Sequence, residues 1–214
     1  MSLVAVIDYG MGNLRSVAKA LEHVNPRARI KITSEADVIS QADHIVFPGQ
    51  GAIGMAMAAL KSRGLDQILL QQMGSKPFLG ICLGLQVMME FSEEDGGTDG
   101  LGLLRGRVNR FPEPHIDTKT GARLKVPHMG WNQLHQHSHP LWQGIEQDSR
   151  FYFVHSYYVT TEDEAEIAGT CDYGISFVAA ACRNNLFAVQ FHPEKSAQAG
   201  LKLLENFLNW DGQV

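Results

Sequence analysis

From Leu3 to Phe91 the chain alternates short apolar runs with stretches of helical periodicity. Leu3 to Ile7 is continuously apolar, as in a central strand covered on both faces, and it ends in the glycine-rich turn Asp8-Tyr9-Gly10-Met11-Gly12-Asn13. Leu14, Val17, Ala18, Leu21 and Val24 then mark one side of a helix that Asn25-Pro26 closes. A strand over 30–33, a short helix over 35–41 and a strand over 45–47 follow, the last ending at Pro48-Gly49-Gln50-Gly51. Residues 55–61 and 64–72 read as helix, Phe78 to Ile81 as a buried strand, and Leu83, Leu85, Met88 and Met89 as a helix running to about Phe91. This alternation predicts an α/β fold: an open, mostly parallel twisted sheet with helices on both faces.

After Asp95 the period shortens. Strand-like pieces are predicted over 107–111, 123–127, 151–159, 166–170, 177–181 and 186–191, so the C-terminal half is β-rich. Pro127-His-Met-Gly-Trp-Asn132 reads as a loop whose Trp131 is either a core filler or part of a partner interface. Ser196 is the expected N-cap of a final helix with Leu201, Leu204 and Leu208 on one face. No linker or repeat interrupts the pattern, and a single domain over 1–214 is expected.

Composition narrows the classes. A formal net charge of −5 with 19% charged residues argues against a general nucleic-acid binder, which needs a basic face. No apolar run approaches the ~20 residues of a membrane span. The segment from Met1 to Ile7 lacks a basic lead-in and meets Asp8 too soon for a secretion signal. Cys82, Cys171 and Cys182 give neither an even framework nor a C-x-x-C pair, which points to a reducing, cytoplasmic setting.

The chemistry gathers at Gly80-Ile81-Cys82-Leu83-Gly84, a G-x-nucleophile-x-G pattern at a strand-to-helix junction with cysteine as the nucleophile. A lone cysteine in apolar surroundings is more often a small buried hydrophobe, but burial alone does not require a glycine on each side. Cys171 and Cys182 have no such frame and read as core. A thiol with a reference pKa of ~8.5 needs a neighbouring base or imidazolium to act at neutral pH. His192 ends an apolar strand, Pro193 stops it, and Glu194 stands two residues on, where an extended backbone points both side chains the same way. Glu194 can then fix the tautomer of His192. Gly49-Gln-Gly-Ala-Ile-Gly54 matches a dinucleotide fingerprint but follows the third strand rather than the first; a backbone N–H offered to an oxyanion is the better reading of its first residues. His128, His135, His137 and His139 lack a cysteine or carboxylate to complete a metal set and read as an exposed polar strand or loop.

Pro48-Gly49-x-Gly51, Gly80-Ile-Cys-Leu-Gly84-x-Gln86 and His192-Pro-Glu194, in that order, resemble the class I (triad) glutamine amidotransferases over nearly the whole chain. Ile7 to Ser16, Pro127 to Asn132 and Phe191 to Ser196 look like those of the glutaminase subunits of imidazole glycerol phosphate synthase, which serve histidine biosynthesis. Gln50 departs from the smaller apolar residue of some relatives. The resemblance implies Cys82, His192 and Glu194 as catalytic residues, with Gln50, Gly51 and Leu83 at the oxyanion hole. It implies Gly49, Gln86, His155, Ser156 and Tyr157 as holders of glutamine. It further implies a heterodimer with a (β/α)8-barrel cyclase subunit through Asn13, Met129, Trp131 and Lys195, and no cofactor or metal. A glutaminase serving another synthase, such as the pyridoxal phosphate type, and a free-standing γ-glutamyl hydrolase are the alternatives.

Overall fold

The computed structural model describes residues 2–213; Met1 and Val214, which bound the expected domain and begin the leader reading, lie outside the described residues. The first half runs β1 (Leu3–Ile7), α1 (Leu14–Val24), β2 (Arg29–Thr33), α2 (Ala36–Gln41), β3 (His44–Gly49), α3 (Ile53–Ser62), α4 (Leu65–Gln72), β4 (Phe78–Cys82) and α5 (Leu83–Met88). The second half holds β5 (Phe91–Ser92), β6 (Thr98–Asp99), β7 (Arg107–Arg110), β8 (His115–Ile116), β9 (Arg123–Leu124), β10 (His128–Gln133), β11 (His135–Gln136) and β12 (Arg150–His155). It continues through β13 (Tyr157–Thr160), β14 (Ile167–Asp172), β15 (Ser176–Arg183) and β16 (Leu186–Val189) to α6 (Ala197–Asn209).

The main sheet has the order β2-β1-β3-β4-β16-β15-β13-β7-β5-β6. Its β2-β1-β3-β4-β16 portion is parallel throughout, and antiparallel pairing begins at β15. The continuous apolar run of β1 serves two cores. Val4 and Val6 face the core that holds Val17 and Leu21 of α1 with Leu203, Leu204 and Phe207 of α6. Ala5 and Ile7 face the other, with Ile39, Ala56, Leu60 and Leu69 from α2, α3 and α4. A strand flanked on both faces has no solvated side to alternate with, so it reads as unbroken apolar sequence.

Several elements differ from expectation. The helix after Cys82 stops at Met88 rather than Phe91, because Met89 is extended at ψ 170° and residues 101–104 turn back onto it. The N–H groups of Leu101, Leu103 and Leu104 donate to the carbonyls of Val87 and Met88 at 2.7–2.9 Å, satisfying its last turn. The segment read as a loop around Trp131 is β10, paired antiparallel with β12 from His128↔His155 to Gln133↔Arg150. The single strand expected over 151–159 breaks at Ser156 into β12 and β13, and only Arg123–Leu124 of the 123–127 piece is strand. Ser196 does precede α6, but its hydroxyl does not cap the helix. Its Oγ instead donates to His192 O at 2.6 Å and accepts from Tyr152 N–H at 2.9 Å. His128 and His139 are buried, not exposed, His128 against Phe153 and Tyr173 and His139 against Phe187 and Trp210. Among the described residues no helix is long and apolar enough to cross a membrane.

α5 lies so close to β3 that a Cβ on Gly84 would overlap the Phe47 carbonyl, whose atoms are backbone and cannot swing aside. Gly84→Ala should therefore destabilise the protein by about 2 kcal/mol or more, the scale of overpacking in a rigid core. Urea unfolding of the variant measures this; an unchanged midpoint would contradict the close approach.

Candidate active site

Three neighbouring parallel strands end on the same edge of the sheet. β3 delivers Gly49, Gln50 and Gly51, β4 delivers Cys82, and the chain leaving β16 delivers His192. Register places Gly49 opposite Cys82 and Val189 opposite Ile81, so the three segments reach that edge together. Carboxyl ends of parallel strands are where open α/β sheets form their ligand crevices.

Cys82 has φ 57° and ψ −110°, a conformation costly for a residue with a Cβ. The backbone turns there from strand to helix without an intervening residue. The sulfur is thereby thrust toward a cavity of about 490 Å³, lined by Gln50, Gly51, Leu83, Gln86, His155, Ser156, Tyr157, His192 and Lys195 among others. Pro127, from the 127–132 stretch, also lines it, as do Glu94 and Val154, which had no sequence signal. Glu94 stands at the start of α3, where its carboxylate accepts from Ile53 N–H at 2.9 Å. Gly49 does not line the cavity. It lies behind it, against Leu83, Gly84 and the Tyr9 hydroxyl. That hydroxyl is buried without a hydrogen-bond partner. Burial, and then the charge of Cys82, raise its pKa above the ordinary tyrosine value.

His192 Nδ1 donates to Glu194 Oε1 at 2.9 Å, and the side chain of Glu194 is only 1% exposed. This leaves Nε2 to serve Cys82, which lines the same cavity and is among the groups that act on the ring. Burial alone would lower the imidazolium pKa, but the hydrogen bonds to Cys82 and Glu194, together with their charges, raise it to about 10. The ring is thus held protonated beside the sulfur. An extended backbone does not bring His192 and Glu194 together. The residues Pro193–Lys195 form a 3-10 turn that swings Glu194 back under the ring.

Behind the cavity wall lies a polar chain. Tyr157 O accepts from His155 Nδ1 at 2.7 Å and from Gln86 Nε2 at 3.3 Å. A carbonyl only accepts, so His155 carries its proton on Nδ1 and its Nε2 accepts from His128 Nδ1 at 2.9 Å. His128 Nε2 in turn accepts from Asn132 Nδ2 at 3.3 Å. Gln86 also donates to the Oε1 of Gln190, a fully buried residue whose Nε2 reaches the Cys82 sulfur at 3.8 Å. Gln190 escaped the sequence reading, although it stands two residues before His192 with core Phe191 between them. That is the same period-two placement used to pair His192 with Glu194.

Of the other predicted residues, Lys195 lies at the cavity with its Nζ 5.9 Å from the centre of the Tyr152 ring. Trp131 meets the same ring edge-on at 6.2 Å and is 50% exposed, while Met129 is 62% exposed. Asn13 is exposed where it precedes α1, a helix that packs against the 193–195 turn. Cys171 and Cys182 are buried away from the cavity, and burial raises the Cys171 thiol to about 12.

This arrangement can perform acyl transfer by a cysteine nucleophile. A family model for class-I glutamine amidotransferase matches residues 5–210. The protein named imidazole glycerol phosphate synthase subunit HisH in Aromatoleum aromaticum is 56% identical over 211 residues, 98% of this chain and 99% of that one. Its counterpart in Methylococcus capsulatus is 56% identical over 213 residues, 99% of this chain and 98% of that one. Among solved structures, PurLQS from Thermotoga maritima aligns with a TM-score of 0.74 at 17% identity, covering 97% of this chain and 98% of that one. A second solved structure, a glutamine amidotransferase, aligns with a TM-score of 0.70 at 16% identity, covering 96% of this chain and 97% of that one. At that identity the structures speak to fold alone.

Burial lowers His128 to about 3 and His139 and His155 to about 4, all below the ~6.5 of an unfolded histidine. Between those values the unfolded chain binds more protons than the folded one at these three positions, so their contribution to stability is complete above pH ~6.5 and falls as the pH drops toward 4. The melting temperature should decline over that window, and His139→Leu should shrink the decline. A melting temperature flat from pH 7 to 4.5 would contradict the buried neutral rings.

Proposed function

This chain belongs to the class I glutamine amidotransferases, and from that membership we propose that it is the glutaminase subunit of imidazole glycerol phosphate synthase. It hydrolyses L-glutamine to glutamate and ammonia and passes the ammonia to a (β/α)8-barrel cyclase subunit. There the phosphoribulosyl-formimino aminoimidazole carboxamide ribotide becomes imidazole glycerol phosphate and aminoimidazole carboxamide ribotide, a step of L-histidine biosynthesis. The observation that carries this reading is that Cys82, at the strained end of β4, and the His192 ring face one cavity, with that ring bonded to buried Glu194.

The Cys82 thiolate attacks the side-chain amide carbon of glutamine. Negative charge develops on the amide oxygen, and the N–H of Leu83 with one from the Gln50–Gly51 segment receives it. Such a donor is worth about 3–4 kcal/mol of barrier. The His192 imidazolium gives its proton to the departing nitrogen, which leaves as ammonia and the acyl group as a thioester on Cys82. Neutral His192 then draws a proton from water as it attacks the thioester, and glutamate leaves with the sulfur again anionic. Glu194 keeps the ring oriented and stabilises its charged form. Gln86 and the 155–157 segment hold the amino-acid end of the substrate, and Gly49 supports the oxyanion segment from behind.

Ammonia released into water at neutral pH is protonated and loses its nucleophilic lone pair, so an open cavity would waste it. Docking of the cyclase over Met129, Trp131, Lys195 and Asn13 closes the cavity mouth and gives ammonia a dry path, as a heterodimer. Free thiols at Cys82, Cys171 and Cys182 fit a cytoplasmic setting.

Cys82→Ser should lower glutamine-dependent synthesis by about 10³-fold or more while synthesis from added ammonium salt persists in the complex. Glutaminase activity surviving in that variant sinks the assignment. We further infer that a cyclase-bound nucleotide turns the Gly49-Gln50 peptide to complete the oxyanion hole. The isolated chain should then hydrolyse glutamine slowly and gain about 10²-fold or more with ligand-loaded cyclase, the effect of one oxyanion donor. Equal rates with and without the loaded cyclase would refute this.

A further inference from the structure

Gln190 is a fully buried amide that the triad mechanism does not use, and its position is dictated from the far side. The anchor is Tyr157 O. It can only accept, so the Gln86 amide must present its NH2 group there, at 3.3 Å. The same Gln86 Nε2 donates to Gln190 Oε1 at 3.0 Å. Gln190 therefore has its oxygen committed to Gln86, and its Nε2 is left facing the Cys82 sulfur at 3.8 Å. A flipped Gln190 amide would set two NH2 groups against each other and aim a carbonyl oxygen at the sulfur. Neither contact is tolerable where both residues are buried.

The backbone holds the side chain as firmly. Gln190 N–H donates to Ala179 O at 2.8 Å, which prolongs the ladder between β15 and the end of β16. Phe191 points the opposite way into the core with Phe151 and Phe153, so Gln190 and His192 are both turned toward Cys82. The sulfur thus faces two donors from one segment, an imidazolium that moves its proton during turnover and an amide that does not.

We propose that Gln190 is a further catalytic residue, whose side-chain amide holds the Cys82 thiolate, and that Gln86 is the positioning residue that keeps this amide aimed at the sulfur. An amide donor favours the anion over the thiol before attack. It favours the departing thiolate again when water cleaves the thioester, after His192 has given up its proton to ammonia. The inference rests on Cys82 as the nucleophile, but not on which synthase receives the ammonia.

The test is the pH dependence of Cys82 alkylation by iodoacetamide in the full-length chain, read at the Cys82 peptide by mass spectrometry. This needs neither glutamine nor the partner, so it stays interpretable if the assigned pathway is wrong. Gln190→Met keeps the length of the side chain and removes the donor. It should move the apparent thiol pKa up by about one unit and so slow alkylation about tenfold at pH values below that midpoint, the scale of a hydrogen bond to a charged group. The other titratable groups around the sulfur (His192 with Glu194, Tyr9, His155, Glu94 and Lys195) are left in place. Gln86→Met frees the Gln190 amide to turn and should give a smaller shift in the same direction. It carries the test if Gln190→Met does not fold. In the activated complex, Gln190→Met should lower kcat about tenfold with little change in KM for glutamine, since the amide reaches sulfur rather than substrate. Alkylation profiles that coincide with the unsubstituted chain would overturn the proposal, whatever happens to stability.

Discussion

The strained turn at Cys82 is the constraint on which the rest of the site depends. A cysteine at φ 57° and ψ −110° persists only where its surroundings over-determine it, and here they do so from three sides. β4 is fixed by parallel pairing to β3 on one side and β16 on the other. The next helix cannot drift, because Gly84 lies against the Phe47 carbonyl. Relaxing Cys82 would require moving α5 off β3 and with it the Leu83 N–H. The strands that fix Cys82 are also those whose ends supply Gln50, Gly51 and His192. Holding Cys82 in its strained turn and bringing those residues beside it are therefore one structural problem with one solution.

The parallel half of the fold was legible because its strands are covered on both faces. β1 shows this by sending Val4 and Val6 to one core and Ala5 and Ile7 to the other. The glycines around Cys82 were legible for a related reason, since a close backbone approach leaves a mark in the sequence where ordinary burial does not. The β-rich half was harder. β10 contains Gly130 and follows Pro127, residues that punctuate loops, and its pairing partner β12 lies far along the chain. Local sequence says nothing about that register. His139 looked exposed beside two other histidines, yet aromatic neighbours from β16 and the C-terminal end bury it.

Ser196 and Gln190 illustrate a different limit. A residue's type announces that it can hydrogen-bond, not with what. Ser196 sits at a helix start where its hydroxyl could cap, but His192 O and Tyr152 N–H claim it instead, and this ties down the backbone that carries the His192 ring. Glu194 was paired with His192 from an extended backbone, whereas a 3-10 turn makes the pairing. The two side chains do meet, but by a different route, because i and i+2 can approach through either geometry.

The site's polar framework also has a direction, set by a single main-chain oxygen. Tyr157 O is an acceptor that cannot reverse, and two chains of donors run from it. One passes through His155 and His128 to Asn132, whose Nδ2 also reaches Asp172 O at 2.9 Å. The other passes through Gln86 and Gln190 to the Cys82 sulfur. His128 and Asn132 occupy the inward face of β10, and Met129 and Trp131 its exposed face. Tyr157 opens β13 directly after the break at Ser156, opposite Arg110 of β7. The strand bearing the exposed tryptophan and the amide facing the sulfur are thus both tied, through these chains of bonds, to one main-chain oxygen.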